Sequence, residues 1–269
     1  MSELPRISIV TCTLNSERYV EQAIQSVLSQ NYPRLEYWVV DGGSTDGTPE
    51  IVRKYEGRVH WRSAPARGIA DAMNTGIGLA TGEIVAHLHS DDRYCPGALH
   101  RVGGLFLEHP EAQWIIGNYR EIDQHQRPIK TIMLPSYNYA LLRRWNFIGH
   151  QAVFVRRRLY DRIGAFDVNL RYAMDYDLWL RIGREHSPLQ IPEVLAEMGI
   201  HPSGLTASHI FQSLTEEYAV RRRLHDRTHG DRCMDFLRYH WRRLRYCYRF
   251  IKYLKWMQAD EAKVGHASY

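Results

Sequence analysis

The sequence predicts an open α/β fold, with a mixed, mainly parallel sheet flanked by helices and a helical extension at the C-terminal end. Over the first hundred residues, short β-rich segments alternate with segments whose apolar residues recur at a helical period. Alternation of this kind is typical of parallel strands joined by helices on both faces of a sheet. Beyond about residue 206 the strand patterns end, and two helices are predicted near 208–225 and 232–257.

The predicted elements divide the chain into three parts. Residues 1–95 predict strands at 7–13, 35–40, 59–62 and 84–88, helices over 17–30 and 69–79, and a helix that begins near Pro49. Residues 96–205 predict helices at 98–107, 141–145, 157–163 and 176–184, strands at 113–118 and 152–155, a hairpin over 119–132, and one or two strands over 189–200. We therefore expect one domain over 1–205, in halves 1–95 and 96–205, and an extension over 206–269.

Length and composition exclude several classes of protein. The chain has 269 residues, of which 44% are hydrophobic, enough for a sizeable core and too many for a disordered chain. Its four cysteines form no C-x-x-C pair, so neither a zinc site nor a disulfide framework is indicated. The sequence has no secretory signal pattern and no apolar run near the roughly 20 residues that span a bilayer, which predicts a cytoplasmic protein.

Polar residues follow three of the predicted strands at their carboxyl ends. The first strand ends in Thr11-Cys-Thr-Leu-Asn15, the second in Asp41, and the fourth leads into Asp91-Asp92. These ends meet at one edge of a parallel sheet, where ligands bind in open α/β folds. Two adjacent carboxylates repel each other, so a divalent cation that carries a diphosphate is one interpretation of the Asp pair. A solvated turn is the other, because Ser-Asp-Asp is ordinary turn chemistry.

The usual phosphate-binding loops are missing from the sequence. No G-x-G-x-x-G follows the first strand, and no G-x-x-x-x-G-K-[ST] occurs in the chain. A metal ion is the usual substitute for a glycine loop as the partner of a diphosphate, which favours the metal interpretation of Asp91-Asp92. A nucleotidyltransferase shares the open α/β layout but usually has a Gly-rich loop with a basic residue after the first strand, and Thr11-Cys-Thr-Leu-Asn15 does not match it.

Six short motifs in a fixed order carry a resemblance to a known family. They are Ile9-Val-Thr-Cys-Thr-Leu-Asn15, Val39-Val-Asp-Gly-Gly-Ser-Thr-Asp-Gly47, Gly68-Ile-Ala-Asp-Ala-Met-Asn-Thr-Gly76, Ala80-Thr-Gly-Glu83, Ser90-Asp-Asp92 and Asp175-Tyr-Asp-Leu-Trp-Leu-Arg181. Together they resemble a family 2 glycosyltransferase with the GT-A fold, over about residues 5–202. The resemblance implies an inverting enzyme that takes a sugar from a nucleotide-sugar donor, most often a UDP-sugar.

The resemblance also implies roles for individual residues. Six of them would contact the donor: Thr11, Asn15, Asp41, Arg67, Asp71 and Asp91. Among these, Asp41 would bind the uracil and Asp91 would face the ribose or the donor sugar. Asp92 would bind Mn²⁺ or Mg²⁺, and His201 matches a position that in some relatives contacts the metal or the diphosphate. A turn or cap is the alternative role for Asp41, and a loop cap or solvated histidine is the alternative for His201.

The resemblance is broken in the loop before Gly68. Many relatives carry acidic residues there, whereas this chain has Ala64 and Ala66, so the donor contacts of that loop stay open. Arg67 is retained and is placed to contact the diphosphate.

The segment that begins at Asp175 implies the base of the reaction. The resemblance selects Asp175 to take the proton from the acceptor hydroxyl. Asp177 lies two residues further, on a different face of a helix, and is better explained as a carboxylate favoured near a helix N-terminus. Trp179 either stacks on a sugar ring or belongs to the core. His150 and Gln151 are further candidate contacts of the acceptor.

The C-terminal helix is basic and amphipathic. Between Arg232 and Met257 there are eight basic residues and one acidic residue, whereas the whole chain carries +5. Apolar residues at 237, 241, 244, 248 and 251 form a stripe at a spacing of three and four, which suits an anionic membrane surface. Packing against the GT-A domain or a homodimer seam are the alternatives, and nucleic acid binding is disfavoured.

The sequence as a whole predicts an inverting, metal-dependent glycosyltransferase of bacterial surface polysaccharide synthesis. Its acceptor would be a glycan or a polyprenyl-diphosphate-linked glycan, and its location would be cytoplasmic, with peripheral contact to the inner membrane. The alternative is a non-catalytic protein on the same fold that binds a sugar nucleotide or a glycan. Hydrolysis or transfer of a nucleotide sugar distinguishes the two.

Overall fold

The computed structural model describes residues 3–201, 204, 208–224 and 228–265, and the side chains of residues 248–265 lie outside the description. The chain forms two compact units, Met1–Ser208 and His209–Tyr269. The boundary at 205/206 that the sequence suggests falls on residues outside the described part of the chain.

The first unit contains a sheet of nine strands and seven helices among its described residues. The strands are β1 Ile7–Thr13, β2 Leu35–Asp41, β3 His60–Ser63, β4 Ile84–His87, β5 Arg93–Tyr94, β6 Trp114–Asp123, β7 Pro128–Ile132, β8 Val153–Arg156 and β9 Leu189–Ile200. The helices are α1 Val20–Leu28, α2 Thr48–Arg53, α3 Ile69–Leu79, α4 Ala98–Glu108, α5 Tyr139–Leu142, α6 Arg157–Ile163 and α7 Met174–Glu185.

The sheet is mixed and mainly parallel, as the sequence predicts. Its strand order is β3-β2-β1-β4-β8-β6-β9-β5, and β7 pairs with the outer part of β6. Strands β1, β2, β3 and β4 are parallel to one another, β8 runs against both β4 and β6, and β9 is parallel to β6. Six strands therefore point one way, and the carboxyl ends of β1, β2, β4, β6 and β9 lie along one edge.

The centre of the sheet is apolar on both faces because helices cover it from both sides. Every residue of β1 and of β4 is buried. Strands buried on both faces are expected where helices cover both sides of a parallel sheet, although β1 also buries the polar residues Ser8, Thr11 and Thr13. The hairpin predicted over 119–132 is present as β6 and β7, and residues 189–200 form the single long strand β9.

Helix α3 lies unusually close to β1. A Cβ atom at Gly76 would lie 2.2 Å from Cγ1 of Val10, so only glycine allows this approach. Two residues earlier on the helix, Asn74 makes a two-way contact with Phe166. Its amide donates to the Phe166 carbonyl and its Oδ1 accepts from the Phe166 N–H, both at 2.9 Å. The Gly68–Gly76 motif therefore holds α3 to the sheet and fixes the segment that precedes α7.

The second unit contains two helices, α8 Ile210–Arg222 and α9 His229–Gly265. Its interior is partly polar, since Arg221 and Asp235 are both buried and lie 3.7 Å apart. Tyr239 of α9 stacks on Tyr218 of α8 with ring centroids 4.6 Å apart. Over the described residues, neither unit contains a helix with the length and apolar content of a membrane span.

Candidate active site

The Asp91-Asp92 turn lies at the carboxyl edge of the sheet, between β4 and β5. Strand β5 pairs antiparallel with β9 in the register Arg93↔Glu197, which draws the turn alongside the end of β9. Arg93 also forms an ion pair with Glu197 at 2.8 Å. The two carboxylates therefore sit on a backbone that is held by pairing and by charge.

Gly199 of β9 makes the close approach of the two segments possible. Its N–H donates to Oδ1 of Asp92 at 3.1 Å. A Cβ atom at this position would lie 2.4 Å from the Asp91 carbonyl oxygen, so a larger residue would force the turn away. Gly199 thus contributes to the site by its lack of a side chain.

Asp92 is a buried carboxylate that lacks a full set of partners. Its side chain is 2% exposed, and its Oδ2 makes no hydrogen bond to any described residue. Burial, the larger effect, and the Asp91 charge both raise the pKa of Asp92 well above its usual range. Nε2 of the His150 imidazole lies 3.2 Å from this Oδ2. An ionised Asp92 therefore calls for a further positive group.

Asp91 is paired with a residue from the far end of the domain. Nε2 of His201 lies 3.0 Å from Oδ2 of Asp91. Burial opposes ionisation of Asp91, but the His201 hydrogen bond and the nearby His89 lower the pKa of Asp91 overall. The same hydrogen bond raises the pKa of His201, and the Tyr19 ring stacks on its imidazole at 4.6 Å. The adjacent carboxylates therefore differ, because the pKa of Asp91 is lowered while the pKa of Asp92 is raised.

Two further histidines surround the carboxylates. The rings of His89 and His150 lie 4.1 Å apart. Burial, followed by the His150 ring, lowers the pKa of His89 to about 4, and burial also lowers the pKa of His150. Both imidazoles are therefore neutral near pH 7, so they do not compensate the carboxylate charge.

Asp175 occupies the first turn of α7 and faces the same cluster. Its Oδ1 accepts the Tyr176 N–H at 2.7 Å, and the Asn146 amide lies 3.4 Å from its Oδ2. The Asp175 charge acts to raise the pKa of His150, against the larger effect of burial. It also contributes, after burial and Glu121, to raising the pKa of Tyr119 to about 12. Asp175 and the Asp pair therefore share one electrostatic environment.

Asp177, two residues further along α7, faces a different partner. Its Oδ2 accepts from Nε of Arg181 at 2.9 Å. The Arg181 guanidinium also donates to the carbonyl groups of Ile163, Gly164 and Ala165. Asp177 therefore anchors the segment before α7, while Asp175 faces the cluster.

The predicted nucleotide residues of β1 and β2 are buried and hydrogen-bonded within the domain. Asp41 is fully buried, and its carboxylate accepts from Ser44 and Ser63, the latter at 2.6 Å. Thr11 is also fully buried, and its hydroxyl lies 2.9 Å from that of Tyr37. Both residues shape the edge of the sheet from within.

Asn15 connects the loop after β1 to the loop after β2 by hydrogen bonds. Its N–H donates to the Ser44 hydroxyl at 2.8 Å, and its Oδ1 accepts from the Thr45 N–H at 2.9 Å. The next residue, Ser16, accepts from the Ser90 hydroxyl at 2.9 Å. The loops after β1, β2 and β4 therefore form one connected rim.

Arg67 and Asp71 form a pair on the first turn of α3. The Arg67 N–H and guanidinium both donate to the Asp71 carboxylate, at 3.1 and 3.3 Å. The backbone bond from Arg67, the largest effect, lowers the pKa of Asp71. The Arg67 side chain is 79% exposed despite this pair.

Two of the predicted acceptor contacts lie inside the domain. Trp179 is 2% exposed and stacks on Trp114 at 5.7 Å, so it belongs to the core. Gln151 is fully buried, and neither amide atom makes a hydrogen bond to a described residue. His150 alone of the three lies against the carboxylates.

A cavity borders the Asp pair on the side of α1. It is lined by Tyr19, which precedes α1, by Gln22 of α1, by His201, by both aspartates, and by Ile122, Asp123, Gln124 and Gln126 at the end of β6 and in the turn that follows it. The sequence pattern did not reveal this wall, nor the roles of Asn146, Tyr119 and Gly199. Of these, only Gly199 left a local signal, an isolated glycine within a strand pattern.

Comparison with known proteins agrees with this arrangement. A family model described as Glycosyl transferase family 2 matches residues 8–164. The chain belongs to glycosyltransferase family 2. The family assignment makes it a glycosyltransferase, and it accounts for the motifs at the carboxyl edge of the sheet.

This glycosyltransferase is similar to several curated proteins. It is 32% identical over 204 residues to an uncharacterized glycosyltransferase of Mycobacterium tuberculosis, covering 73% of this chain and 76% of that protein. It is 29% identical over 225 residues to an uncharacterized glycosyltransferase of Rickettsia prowazekii, covering 80% and 69%. A hyaluronan synthase of Pasteurella multocida is 27% identical over 189 residues, which are 68% of this chain and 19% of the synthase.

Solved structures share the GT-A fold. S. aureus TarS 1–349 in complex with UDP-GlcNAc has a TM-score of 0.67 at 18% identity, covering 88% of this chain and 72% of that one. The mannosyltransferase PcManGT from Pyrobaculum calidifontis, in complex with GDP-Man and Mn²⁺, has a TM-score of 0.65 at 23% identity, covering 89% and 70%. This glycosyltransferase spans 42% of a longer TarS chain. At these identities, the likeness shows the fold.

Proposed function

We propose that this glycosyltransferase moves a sugar from a nucleoside-diphosphate sugar, a UDP-sugar, to a hydroxyl group of a glycan or a polyprenyl-diphosphate-linked acceptor. The transfer inverts the anomeric carbon and uses a divalent cation, Mn²⁺ or Mg²⁺. The observation that carries the proposal is the shared environment of Asp92, His150 and Asp175 at the carboxyl edge of the sheet. One carboxylate serves the leaving diphosphate and the other serves the attacking hydroxyl.

The donor set fits a cation of this kind. Asp92 has a buried Oδ2 with no hydrogen bond and a pKa raised by burial, so a bound cation would favour its ionised form. His201, beside Asp91, is the second candidate ligand. Among the described residues, no group of three or more His, Cys, Asp or Glu side chains is arranged to hold a metal ion by itself, so the diphosphate and water would complete the coordination. When bound, the cation would offset the charge that develops on the leaving diphosphate.

Asp175 is suited to act as the base. It lies in the first turn of α7, where the helix N-terminus favours a carboxylate, and the Tyr176 N–H donates to it. Both contacts favour a carboxylate at this position, and the proposed role of Asp175 is to accept the proton from the acceptor hydroxyl. The hydroxyl oxygen forms a bond to the anomeric carbon while the bond from that carbon to the diphosphate oxygen breaks. A single displacement of this kind inverts the anomeric carbon.

The rim would hold the nucleotide. Asp41, Thr11 and Asn15 shape the edge on which the base and ribose would lie, and Asp91 would face the ribose or the sugar. Arg67, held by Asp71 and exposed, would contact the diphosphate. The bound UDP-GlcNAc of TarS and the bound GDP-Man of PcManGT support a nucleotide sugar as the donor.

A thermal-shift screen of nucleotide sugars, with and without Mn²⁺, tests the donor and the metal. A ligand that binds the native state raises the melting temperature by mass action. We expect a shift with a UDP-sugar that needs Mn²⁺ and is lost in Asp92→Ala. A shift that is independent of Mn²⁺ and survives Asp92→Ala would overturn the metal role.

Product analysis tests the chemistry. With the donor identified by the screen, we expect the wild type to release UDP. Asp175→Asn should lower the rate of sugar transfer to an acceptor by about 10²- to 10⁴-fold, while the donor still raises the melting temperature of the variant. Asp177→Asn is the matched control, because it changes the same charge two residues away. A wild-type chain that binds the donor but neither transfers nor hydrolyses the sugar would favour a non-catalytic binding protein instead.

A further inference from the structure

Helix α9 carries an exposed apolar stripe that the transfer reaction does not use. We define the stripe by Met234, Leu237, Trp241 and Leu244, whose side chains are 47%, 58%, 59% and 69% exposed. They recur at a spacing of three and four residues, so they lie along one side of the helix. Exposed apolar groups that form a continuous row, rather than scattered single residues, mark a surface that contacts something.

The stripe lies on the side of α9 that faces away from α8. Asp235 and Tyr239, which are 1% and 8% exposed, form the side that packs on α8. At about 100° per residue, this side lies roughly opposite the stripe. The Tyr239 hydroxyl lies 3.1 Å from that of Thr215 on α8, which fixes the rotation of the helix. The helix pair therefore has its own interior and leaves the stripe uncovered.

The charge around the stripe is almost entirely positive. The segment 232–257 carries eight basic residues and one acidic residue, a net of +7 against +5 for the whole chain, so the other residues sum to −2. The single acid, Asp235, is buried beside Arg221. Arg238 and Arg245 flank the stripe, and the Arg245 guanidinium lies 5.4 Å from the centre of the Trp241 ring. The surface that binds this side of α9 must therefore be both apolar and anionic.

We propose that the stripe of α9 docks this protein on an anionic lipid bilayer, with the helix axis in the plane of the membrane surface. The apolar side chains would enter the boundary between headgroups and acyl chains, and the arginines beside them would contact lipid phosphates. A tryptophan covered by an arginine suits this boundary, because it offers an apolar ring and a charged edge to the headgroups. The inference does not depend on which sugar is transferred.

A second copy of the chain fits the stripe less well. The spacing from Met234 to Leu244 is that of positions a and d in a coiled coil. The flanking e and g positions are then Arg238, His240 and Arg245, with no acid among them. In an antiparallel pair of copies the arginines at e would face one another, and in a parallel pair no acid would face them, whereas stable pairs place opposite charges there. Nucleic acid also fits this surface less well than a bilayer does, because its centre is apolar and offers no polar side chain to hydrogen-bond with the bases.

Vesicle co-sedimentation of the full chain tests the proposal. The probes are vesicles of phosphatidylcholine alone and of phosphatidylcholine mixed with phosphatidylglycerol. We expect binding to the mixed vesicles that weakens as salt is raised, and little binding to phosphatidylcholine alone. Equal binding to both kinds of vesicle would overturn the role of the arginines.

Paired variants separate the stripe from general charge. Leu237→Ser with Trp241→Ser should lower the vesicle partition coefficient at least about tenfold, because the apolar contact is lost. Phe236→Ser is the control, since Phe236 is 51% exposed but lies about 120° around the helix from the stripe centre. Arg245→Gln should lower the coefficient about fivefold. Arg232→Gln, on the side of α9 away from the stripe, should lower it less.

Two outcomes would contradict the proposal. If the double variant binds mixed vesicles as the wild type does, the stripe is not the contact. If the wild type is a dimer by light scattering, and the double variant is a monomer with unchanged vesicle binding, the stripe serves a second copy. Circular dichroism and melting temperature of each variant confirm that α9 remains folded, so that a loss of binding reports on the surface.

Discussion

At the scale of single residues, tertiary partners distinguish carboxylates that are close together in the sequence. Asp175 and Asp177 lie on the same turn of α7, yet Asp175 shares the environment of His150 while Asp177 is paired with Arg181. Asp91 and Asp92 are adjacent, yet His201 lowers the pKa of one while burial raises that of the other. Both members of each pair are aspartates that lie close together in the sequence, so the difference between their surroundings comes from tertiary contacts.

The Asp177–Arg181 pair gives a prediction about stability. Asp177→Ala should lower the free energy of unfolding by about 1–3 kcal/mol, because Arg181 loses its partner while it still binds three carbonyl groups. The affinity for the nucleotide sugar should stay within about twofold, since the segment that Arg181 holds lies in the half of the domain that we propose binds the acceptor. Urea denaturation and donor titration measure the two quantities.

The control for this prediction is Asp175→Ala. It removes a carboxylate from the same turn but leaves the Arg181 network intact, so transfer should be lost with a smaller change in stability. Equal destabilisation by the two variants would show that both carboxylates serve the helix alone.

At the scale of elements, α3 links the two halves of the domain. Gly76 brings the helix onto Val10 of β1, and Asn74 binds the backbone of Phe166 just before α7. The motif that runs from Gly68 to Gly76 therefore has a packing role beside the donor contacts that we propose for it. Through α3, the position of the Asp175 turn depends on the position of β1.

Substitution of the helix glycines tests this link. Gly76→Ala should lower the free energy of unfolding by about 1–3 kcal/mol, because the added methyl group meets both Cγ atoms of Val10 within 3 Å. Gly78→Ala should instead raise it by about 0.5–1 kcal/mol, since no atom lies within 4 Å of the new methyl group and alanine favours a helix. Thermal and denaturant melts of both variants check the opposite signs.

The same pair of variants also reports on the site. Gly76→Ala should reduce transfer more than it reduces donor affinity, because the displaced helix carries Asn74 and the segment before α7 with it. A Gly76→Ala variant with wild-type stability would show that α3 does not approach β1 as closely as the structure indicates.

At the scale of the whole molecule, the sequence predicts local elements well and long-range neighbours poorly. The strand Ile7–Thr13 and the helix Ile69–Leu79 match their predicted bounds, because periodicity is a local property. No local sequence pattern predicts that β8 inserts antiparallel between β4 and β6. The Asp91–His201 contact joins residues 110 positions apart, and only the family resemblance suggested that both belong to one site.

Buried histidines give the last prediction, which concerns the stability of the whole domain against pH. Burial, followed by the charge of His89, lowers the pKa of His87 to about 3, and burial lowers that of His89 to about 4. Both bind a proton near pH 6.5 in the unfolded chain. Between the folded-state and unfolded-state pKa values, the unfolded chain binds more protons than the folded domain. The stability that these histidines contribute is therefore present above about pH 6.5 and is lost as the pH falls.

Substitution of His87 separates its contribution to this pH dependence of stability from that of His89. Each histidine contributes up to about 1.4 kcal/mol per pH unit to the fall in unfolding free energy from about pH 6 to about pH 5. His87→Gln should reduce the slope by up to that amount, because glutamine does not titrate but can still donate to the Met73 carbonyl that His87 faces. His125→Gln, in the exposed turn between β6 and β7, should leave the slope unchanged. Urea denaturation across this range measures both slopes, and an unchanged slope in His87→Gln would mean that His87 is already protonated in the folded domain.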